Sequence, residues 1–489
     1  MNALAKILAW PSIKEDLLGL ALWDAVEIAR AVRGVAVGQF QASGVEIDSR
    51  DVMPGDLFFA LKGEAMDGHK FVPMAFARGA SAVVVDRPVD GPHVLVDDTS
   101  IALELLAKAA RNRASARIVG VTGSVGKTGV KEAIFAALDR SSRGNAHRSV
   151  KSYNNHVGVP LSLSRMLARS KFGVFEMGMN HKGEIAALTR QVRPHVAVIT
   201  TIAPAHIEML GSEEAIADAK AEIFEAVEPG GTAVIPADSP HFERLKAAAE
   251  RHGIEVQSFG RAPHATVRLL DAVPAPGGGS LITADLGDRR ICYTVAEPGE
   301  HWIANSLCVM AAVRAAGGDL GAAGLALAEM QGLKGRGART TISGQGGDGS
   351  GQALLIDESY NANPASMRAT LAQLGRTPAT RRIAVLGAMK ELGEHGPAMH
   401  ADLAEPIIEA RIDRLVLVGD EMTALADELG KAATASLGIV PTFAHCGTAQ
   451  EALEHLRGLG VEGGDAILVK GSNSVGLGTL VAALAQDKD

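Results

Sequence analysis

Residues Ile118–Val130, reading IVGVTGSVGKTGV, constrain this chain more than any other stretch. An apolar β-type run passes into Gly123-Ser124-Val125-Gly126-Lys127-Thr128, and an alanine-rich helical pattern follows from Lys131 to Leu138. Glycines turn tightly and expose backbone N–H groups, which together with the start of a helix cradle phosphate oxygens. In such a loop Lys127 places a cation on the β- and γ-phosphates, and the Thr128 hydroxyl binds Mg²⁺. The longer pattern G-x-x-x-x-G-K-[ST] is not met, because Val121 stands where its first glycine would be. The shorter T-G-S-x-G-K-T form, set between strand and helix, reads as a nucleotide site rather than an idle turn.

A chain of 489 residues has room for about three domains. Hydrophobic content of 47% against 21% charged residues supports packed cores and excludes global disorder. A net charge of −8 argues against nucleic acid as the main partner, because a phosphate backbone needs a basic face. Cys292, Cys308 and Cys446 are far apart and form no C-x-x-C, so they read as buried free thiols in a reducing compartment. The first residues, MNALAKILAWPSIKEDLL, carry too short an apolar run for a signal peptide, and no run approaches the roughly 18 apolar residues of a membrane span. The expectation is a cytoplasmic, soluble protein without membrane insertion.

The pattern is α/β throughout. Residues 1–112 read as a small α/β unit, with a turn at Met53-Pro54-Gly55-Asp56, strands at Leu57–Leu61 and Ala82–Asp86, and helices at Phe71–Arg78 and Ile101–Arg113. Residues 113–340 alternate strand and helix. Phe172–Glu176, Val196–Ile202 and Gly231–Ile235 are apolar on both faces, as central parallel strands covered by helices are. Helical patterns fall at Gly183–Arg190, Glu213–Val227 and His301–Ala316, and Asp271–Thr294 reads as a β-hairpin insertion. This predicts a doubly wound, mostly parallel sheet with ligands beyond the carboxyl ends of its strands. Residues 341–489 open with a glycine-rich turn, Gly344–Gly351, and then resume the alternation as a second open α/β sheet.

The chemistry-bearing residues sit at strand ends. There is no G-x-S-x-G elbow and no helical H-E-x-x-H. Glu176 ends an apolar strand and is placed to bind Mg²⁺ near the glycine loop. His206 and Glu208 follow the next strand, which favours a metal cluster beside the loop. Lys220, inside a helical pattern, reads as a solvated face residue. Arg336 lies among glycines in Leu333-Lys334-Gly335-Arg336-Gly337, where its guanidinium suits phosphate. Asp357–Pro364 is dense in hydrogen-bonding side chains after a strand and suits a polar ligand or a turn.

Together these residues resemble the Mur ligase family over essentially the whole chain. The likeness rests on Ile47–Arg50, Pro54–Phe58, Ala60–Gly63 and Asp67–His69; on Thr122–Thr128, Asn154-Asn155, Gly158–Pro160, Glu176–Gly178, Asn180-His181, Gly183–Ile185, Ala205-His206, Ala219–Phe224 and Asn305; and on Asp357–Pro364 and Lys470–Ser472. Glu-Met-Gly-x-Asn-His-x-Gly-Glu-Ile and Ser-Tyr-Asn-Ala-Asn-Pro point to its MurF type, which adds D-alanyl-D-alanine to UDP-N-acetylmuramoyl-tripeptide with ATP.

The resemblance implies a UDP-binding N-terminal domain, a central ATPase domain and a Rossmann-like C-terminal domain. It implies that Ser49, Arg50, Lys62, Asp67 and His69 lie near the UDP-sugar and that Asn154 and Asn155 hold the muramoyl-peptide side. ATP would meet Gly123, Ser124, Val125, Gly126, Lys127, Thr128, Asn305, Arg336 and Glu358. Mg²⁺ would meet Thr128, Glu176, His206 and Lys220, the last as a CO₂-derived carbamate. Lys127, Lys220, His206 and Glu176 would be catalytic, and Tyr360, Asn361 and Asn363 would edge the dipeptide or nucleotide. Monomeric state and closure of the C-terminal domain over the centre are further expectations. The chain departs from the family where Gly129 replaces a usual Ser/Thr, Glu358 a common Asp, Ala388 a usual Asp and Asn473 a frequent Arg. Two rival readings remain open here: a ligase of the same superfamily with another amino-acid substrate, and a P-loop switch protein, although no N-K-x-D motif is found.

Overall fold

The computed structural model describes residues 21–486 except 64–65, 151, 205–206, 277, 345–350 and 436–439. Its architecture is three successive α/β layers. In the first, five short strands order as Val35–Val37, His93–Leu95, Ala82–Val85, Asp56–Phe59 and Gly44–Glu46. Helix Thr99–Arg113 leads out of it, capped by Asp98, whose carboxylate accepts from the Ser100 and Ile101 N–H groups.

The central sheet has nine strands. From one edge they run Ala146–Arg148, Phe172–Glu176, Arg117–Thr122, Val196–Ile199, Thr232–Pro236 and Glu255–Gly260, all parallel. Strand Val267–Pro274 continues in parallel, and Ser280–Asp285 and Arg290–Val295 then pair antiparallel. The segment expected as a hairpin insertion is therefore an extension of the main sheet edge. Alternation is visible residue by residue. Val119, Val121, Val174, Val196, Val198 and Val234 face helices Lys127–Ser142 and Glu300–Ala315 on one side. Ile118, Phe175, Ala197, Ile199, Ala233 and Ile235 face helices on the other. With both faces dry, the strands are apolar throughout, which is the physical reason they were legible as buried parallel strands. An unanticipated helix, Leu320–Glu329, follows Glu300–Ala315 and packs on the same face.

The third sheet orders Ala338–Ser343, Gln352–Glu358, Asp465–Lys470, Arg381–Gly387, Arg414–Val418 and Thr442–Cys446. Its first strand is antiparallel to the second and the rest are parallel. Since Ala338–Ser343 belongs to this sheet, the division expected between 340 and 341 falls inside a strand. Strand Thr442–Cys446 was missed, because its residues are half-exposed at the sheet edge and lack the bilateral apolar pattern.

The first layer is fastened to the second by buried polar contacts as well as packing. Trp23 Nε1 donates to Ser164 O at 2.9 Å, Arg113 stacks 3.3 Å above the Trp23 ring, and Arg165 Nη2 meets Glu46 Oε2 at 2.6 Å. Among the cysteines, Cys308 and Cys446 are buried as expected, but Cys292 is exposed. It sits on an outward position of strand Arg290–Val295, near the far edge of the sheet. No helix among the described residues is long and apolar enough to cross a membrane.

Candidate functional site

The site begins where the chain's first central strand, Arg117–Thr122, ends between two neighbours reached by opposite crossovers. That switch point opens a crevice at the carboxyl ends of the strands. The loop Gly123–Gly126 turns there into helix Lys127–Ser142, with Gly123 at φ +145° and Gly126 at φ +85°. Both glycines are required. A Cβ on Gly123 would stand 1.9 Å from Thr200 Oγ1, and one on Gly126 would stand 3.0 Å from Asn305 Oδ1. The loop is pinned to the end of the adjacent strand: Ser124 N donates to Thr201 O at 2.8 Å, Ser124 Oγ to Ala203 O at 2.9 Å, and Thr200 Oγ1 to Val125 O at 2.6 Å. An anion-binding loop is useful only if rigid, and these bonds fix it before any ligand arrives.

Cations converge on this loop, and among the described residues none of Lys127, Lys220 and Arg336 makes an ion pair with a carboxylate. Lys127 Nζ folds back to donate to Gly123 O at 2.7 Å and Ser124 O at 3.3 Å. Burial holds its pKa below the ordinary ammonium range against the pull of Glu176, and Arg336 adds to the lowering. Lys220 is only 2% exposed, and its Nζ makes no hydrogen bond or ion pair among the described residues. Burial, reinforced by Lys127, holds its pKa well below normal. The solvated surface lysine read from the helical pattern is thus a buried amine facing the loop lysine. The pattern misled because Lys220 lies on the buried face of helix Glu213–Ala221, with Ile216, Ala217 and Ala219, while Glu214 and Asp218 keep the opposite face exposed. Arg336 Nη2 donates to Ser152 Oγ at 3.1 Å, and its guanidinium lies 4.2 Å from the centroid of the Tyr360 ring.

The acidic side of the site is small and ordered. Glu176, 1% exposed, accepts from Thr128 Oγ1 at 2.8 Å and from Asn154 Nδ2 at 2.8 Å. Thr128 Oγ1 also lies 3.5 Å from Ser152 Oγ. Ser152 therefore joins the loop threonine to Arg336, a link with no sequence signal beyond the closeness of Ser152 to Asn154. Thr128 and Glu176 present hard oxygens, the donor type that suits Mg²⁺. No group of three or more His, Cys, Asp or Glu able to hold a metal occurs among the described residues. His206 lies outside those residues. The side chain of Glu208 lies against Gly393 in the third layer.

Around Glu358 the central and third layers share a buried ionic cluster. Lys470 Nζ lies 3.8 Å from Glu358 Oε2 and donates to Asn361 O at 2.8 Å. Burial raises Glu358 while Lys470 and Arg336 oppose it, and burial lowers Lys470. Glu297, unremarked in the sequence, is pushed up to about 7 by burial, with Arg339 opposing and Glu358 adding repulsion. His301, also missed, is brought down to about 4 by burial and by Lys470.

Several predicted ligands have other structural work. Asn155 Oδ1 accepts from the Val157 and Gly158 N–H groups and so starts helix Gly158–Ser164. Asn363 is the N-cap of helix Pro364–Arg376 in a reciprocal pair with Ser366, and Asn361 Oδ1 accepts from Ala362 N. In the first layer Ser49 Oγ lies 3.3 Å from Met74 Sδ, and Lys62 is bridged to Asp67. Arg50, its side chain 81% exposed, pairs with Asp48. Asp67 Oδ2 accepts from Arg87 at 2.6 Å, and His69 stands 3.1 Å from both Asp67 Oδ1 and Asp86 Oδ1. Among the described residues none of these five bonds to the glycine-loop group. Ala388 is joined to the Lys470–Ser472 segment: Ser472 N donates to Ala388 O at 3.2 Å and Lys390 N to Ser472 Oγ at 3.0 Å.

Comparison with known proteins places this geometry. Residues 121–313 match the Mur ligase middle domain, 345–473 the Mur ligase glutamate ligase domain, and 41–114 the Mur ligase family catalytic domain. A Synechocystis UDP-N-acetylmuramoyl-tripeptide–D-alanyl-D-alanine ligase is 37% identical over 89% of this chain and 90% of its own. The Escherichia coli enzyme of the same name is 34% identical over 91% and 94%. The crystal structure of MurF from Acinetobacter baumannii superposes with a TM-score of 0.80 at 29% identity, covering 95% and 99% of the two chains. MurF from Thermotoga maritima, solved in complex with ADP, gives 0.71 at 25% over 91% and 97%. The chain belongs to the Mur ligase family, with the three-domain α/β architecture of its MurF members.

Proposed function

We propose that this Mur ligase family member joins D-alanyl-D-alanine to UDP-N-acetylmuramoyl-tripeptide at the expense of ATP, making the pentapeptide precursor of peptidoglycan. The reading is carried by buried, carboxylate-poor cations gathered on a glycine loop, in a chain whose relatives bear that enzyme's name. Desolvated cations without counter-charges are costly. A polyphosphate and a substrate carboxylate are the anions that relieve the cost.

A carboxylate is a poor acyl donor, because oxide cannot leave. Transfer of the γ-phosphoryl group to it gives an acyl phosphate, and the dipeptide amine then displaces phosphate through a tetrahedral intermediate. Lys127, Arg336 and the N–H groups of Ser124–Thr128 offset repulsion between the two anions and stabilise charge spread over the transferring group. Asn305, beside Gly126, is assigned to the nucleoside end, and Glu358 with Lys470 to the seam where the third layer meets ATP. Thr128 and Glu176 would hold Mg²⁺, with His206 as a further ligand; the ion supplies Lewis-acid neutralisation of the phosphates. Lys220 fits carbamate formation, since a neutral buried amine is the form that reacts with CO₂ and the product carries metal-binding oxygens.

Ser49, Arg50, Lys62, Asp67 and His69 are proposed for the UDP-sugar side, Asn154 and Asn155 for the muramoyl-peptide, and Tyr360, Asn361 and Asn363 for the dipeptide or nucleotide edge. The N-terminal unit (1–112) takes UDP, the centre ATP, and the third unit, counted from the strand beginning at Ala338, closes over both. The protein is placed in the cytoplasm as a monomer, without nucleic-acid partners. The deciding experiment measures ATP- and Mg²⁺-dependent phosphate release with UDP-MurNAc-tripeptide, with and without D-Ala-D-Ala, and weighs the product. Release that needs both, with a product heavier by one dehydrated dipeptide, is expected. Release indifferent to both substrates would overturn the ligase.

A further inference from the structure

The chain that carries Ser152 and Asn154 to the site leaves the central sheet at Ser149. Strand Ala146–Arg148 pairs in parallel with Phe172–Glu176 as far as Arg148 opposite Val174. Ser149 N still follows the ladder, donating to Val174 O at 3.0 Å. In a parallel ladder that continued, Ser149 O would next accept from Glu176 N. Here Glu176 N donates instead to the Ser149 side chain, at Oγ, 3.2 Å away, and Ser149 O accepts from Lys131 Nζ at 2.9 Å. The hydroxyl stands in for the carbonyl, and a lysine draws the carbonyl out of the sheet.

Lys131 lies one turn beyond Lys127 on helix Lys127–Ser142, and it and Ser149 are both fully buried. Lysine is almost never buried to this extent unless paired. Its Nζ also meets Glu132 Oε1 at 2.8 Å, and Glu132 Oε2 pairs with Arg148, the last residue of the strand. An apolar side chain of the same length would fill the space, but only an ammonium donates to a carbonyl and a carboxylate together. Beyond Ser149 the released chain enters the site. Ser152 meets Thr128 and Arg336, and Asn154 Nδ2 donates to Glu176 Oε1 at 2.8 Å. Asn154 O accepts from Gly178 N at 2.8 Å, so the released chain is tied down again just past Glu176. Glu176 is thereby held at its N–H by Ser149 and at its carboxylate by Asn154 and Thr128.

We propose that Lys131 is a positioning residue: by holding the Ser149 carbonyl out of the strand ladder it sets the chain from 149 to 154, and through it the carboxylate of Glu176, without touching substrate. The inference rests on the nucleotide and Mg²⁺ reading of Thr128 and Glu176 given above and adds a residue to it. Without the ammonium, Glu176 N takes the carbonyl back and the ladder lengthens. Ser152 and Asn154 are then drawn away from Thr128 and Glu176.

The test titrates the full-length protein, saturated with ADP, with Mn²⁺ as a paramagnetic stand-in for Mg²⁺, and reads the free ion by electron paramagnetic resonance. For Lys131→Met, Mn²⁺ affinity falls about tenfold or more, while ADP affinity measured by calorimetry without metal stays within about twofold of wild type. Amide hydrogen exchange over residues 149–155 rises in the same variant. A lysine that only packs would lower thermal stability and leave the Mn²⁺ affinity of the folded protein unchanged. That result, or equal loss of Mn²⁺ and metal-free ADP affinity, would overturn the proposal. Should Lys131→Met not fold, Ser149→Ala decides. It keeps the lysine and removes the hydroxyl, so Glu176 N must compete with Lys131 for the carbonyl, and Mn²⁺ affinity falls in the same direction. Unchanged Mn²⁺ affinity in Ser149→Ala overturns the proposal. Wild-type protein that binds no ADP, or binds ADP but no Mn²⁺, would overturn the nucleotide or metal reading itself. Failure of the proposal alone shows instead as a missing difference between wild type and variant.

Discussion

The first and second layers treat charge in opposite ways. In the N-terminal layer charged candidates are paired with one another or with neighbours: Arg50 with Asp48 and Asp67 with Arg87, while His69 stands beside Asp67 and Asp86. Around the central loop the cations are held against carbonyl oxygens, a hydroxyl or an aromatic ring, and Lys220 against nothing polar among the described residues. The difference separates a surface that is electrostatically finished from one that an anion must complete. It also explains why the central lysines are lowered in pKa by burial while Asp67, chiefly through its bond to Arg87, is held well below the carboxylate range.

The comparison can be broken most forcefully at Lys127. Lys127→Ala is expected to cut phosphate release by at least about a hundredfold while calorimetry shows UDP-substrate binding largely kept. Near-normal turnover would mean the loop cation is not used. Gly123→Ala comes next. A methyl 1.9 Å from Thr200 Oγ1, at a φ of +145°, must displace the loop from its pinning strand. A loss of about 1–3 kcal/mol is expected in denaturant titration, together with weakened ATP binding.

The seam between layers two and three offers a test through pH. Glu297 titrates near 7 in the folded chain and near the ordinary carboxyl value when unfolded, so the native state holds the extra proton in between. Its contribution to stability is therefore present below about pH 4.5 and lost as pH rises towards 7. Glu297→Gln should flatten that part of the stability profile, by about 3 kcal/mol at most. A profile unchanged from wild type would show that Glu297 does not titrate there. The smallest effect is expected in the N-terminal layer. Arg50→Ala removes an exposed pair, and thermal melting should move by no more than about one degree. UDP-substrate affinity should fall if Arg50 exchanges Asp48 for the ligand. Unchanged affinity would leave the pair as surface charge only.

Much of this was legible because local physics and tertiary context agreed. Arg117–Thr122 and Lys127–Ser142 lie where the apolar run, the glycines and the alanine-rich stretch put them. Phe172–Glu176 matches its predicted bounds because its carboxylate end is also the end of its apolar pattern. The illegible parts lack such agreement. Lys220 looked solvated because its helix has an exposed face, at Glu214 and Asp218, and a single lysine does not show which face it takes. Asn155 and Asn363, which the resemblance implies as ligand contacts, also bond to backbone N–H groups at helix starts, a local role their sequence does not separate from binding. Ser152, Lys131 and His301 gave no signal, since each acquires its role from a neighbour distant in the chain.

The sequence by itself determined the loop, its flanking strand and helix, the two-sided apolar strands and hence a parallel sheet with a crevice at its switch point. These follow from backbone sterics and burial within a few turns of chain. Only the tertiary structure decided which charges remain unpaired. Strand order brings Lys220 to Lys127, the turn after Leu333 carries Arg336 to Ser152, and helix Glu300–Ala315 lays Asn305 along the loop. Desolvation and Coulomb energy depend on separation in space, so no spacing in sequence could have fixed them.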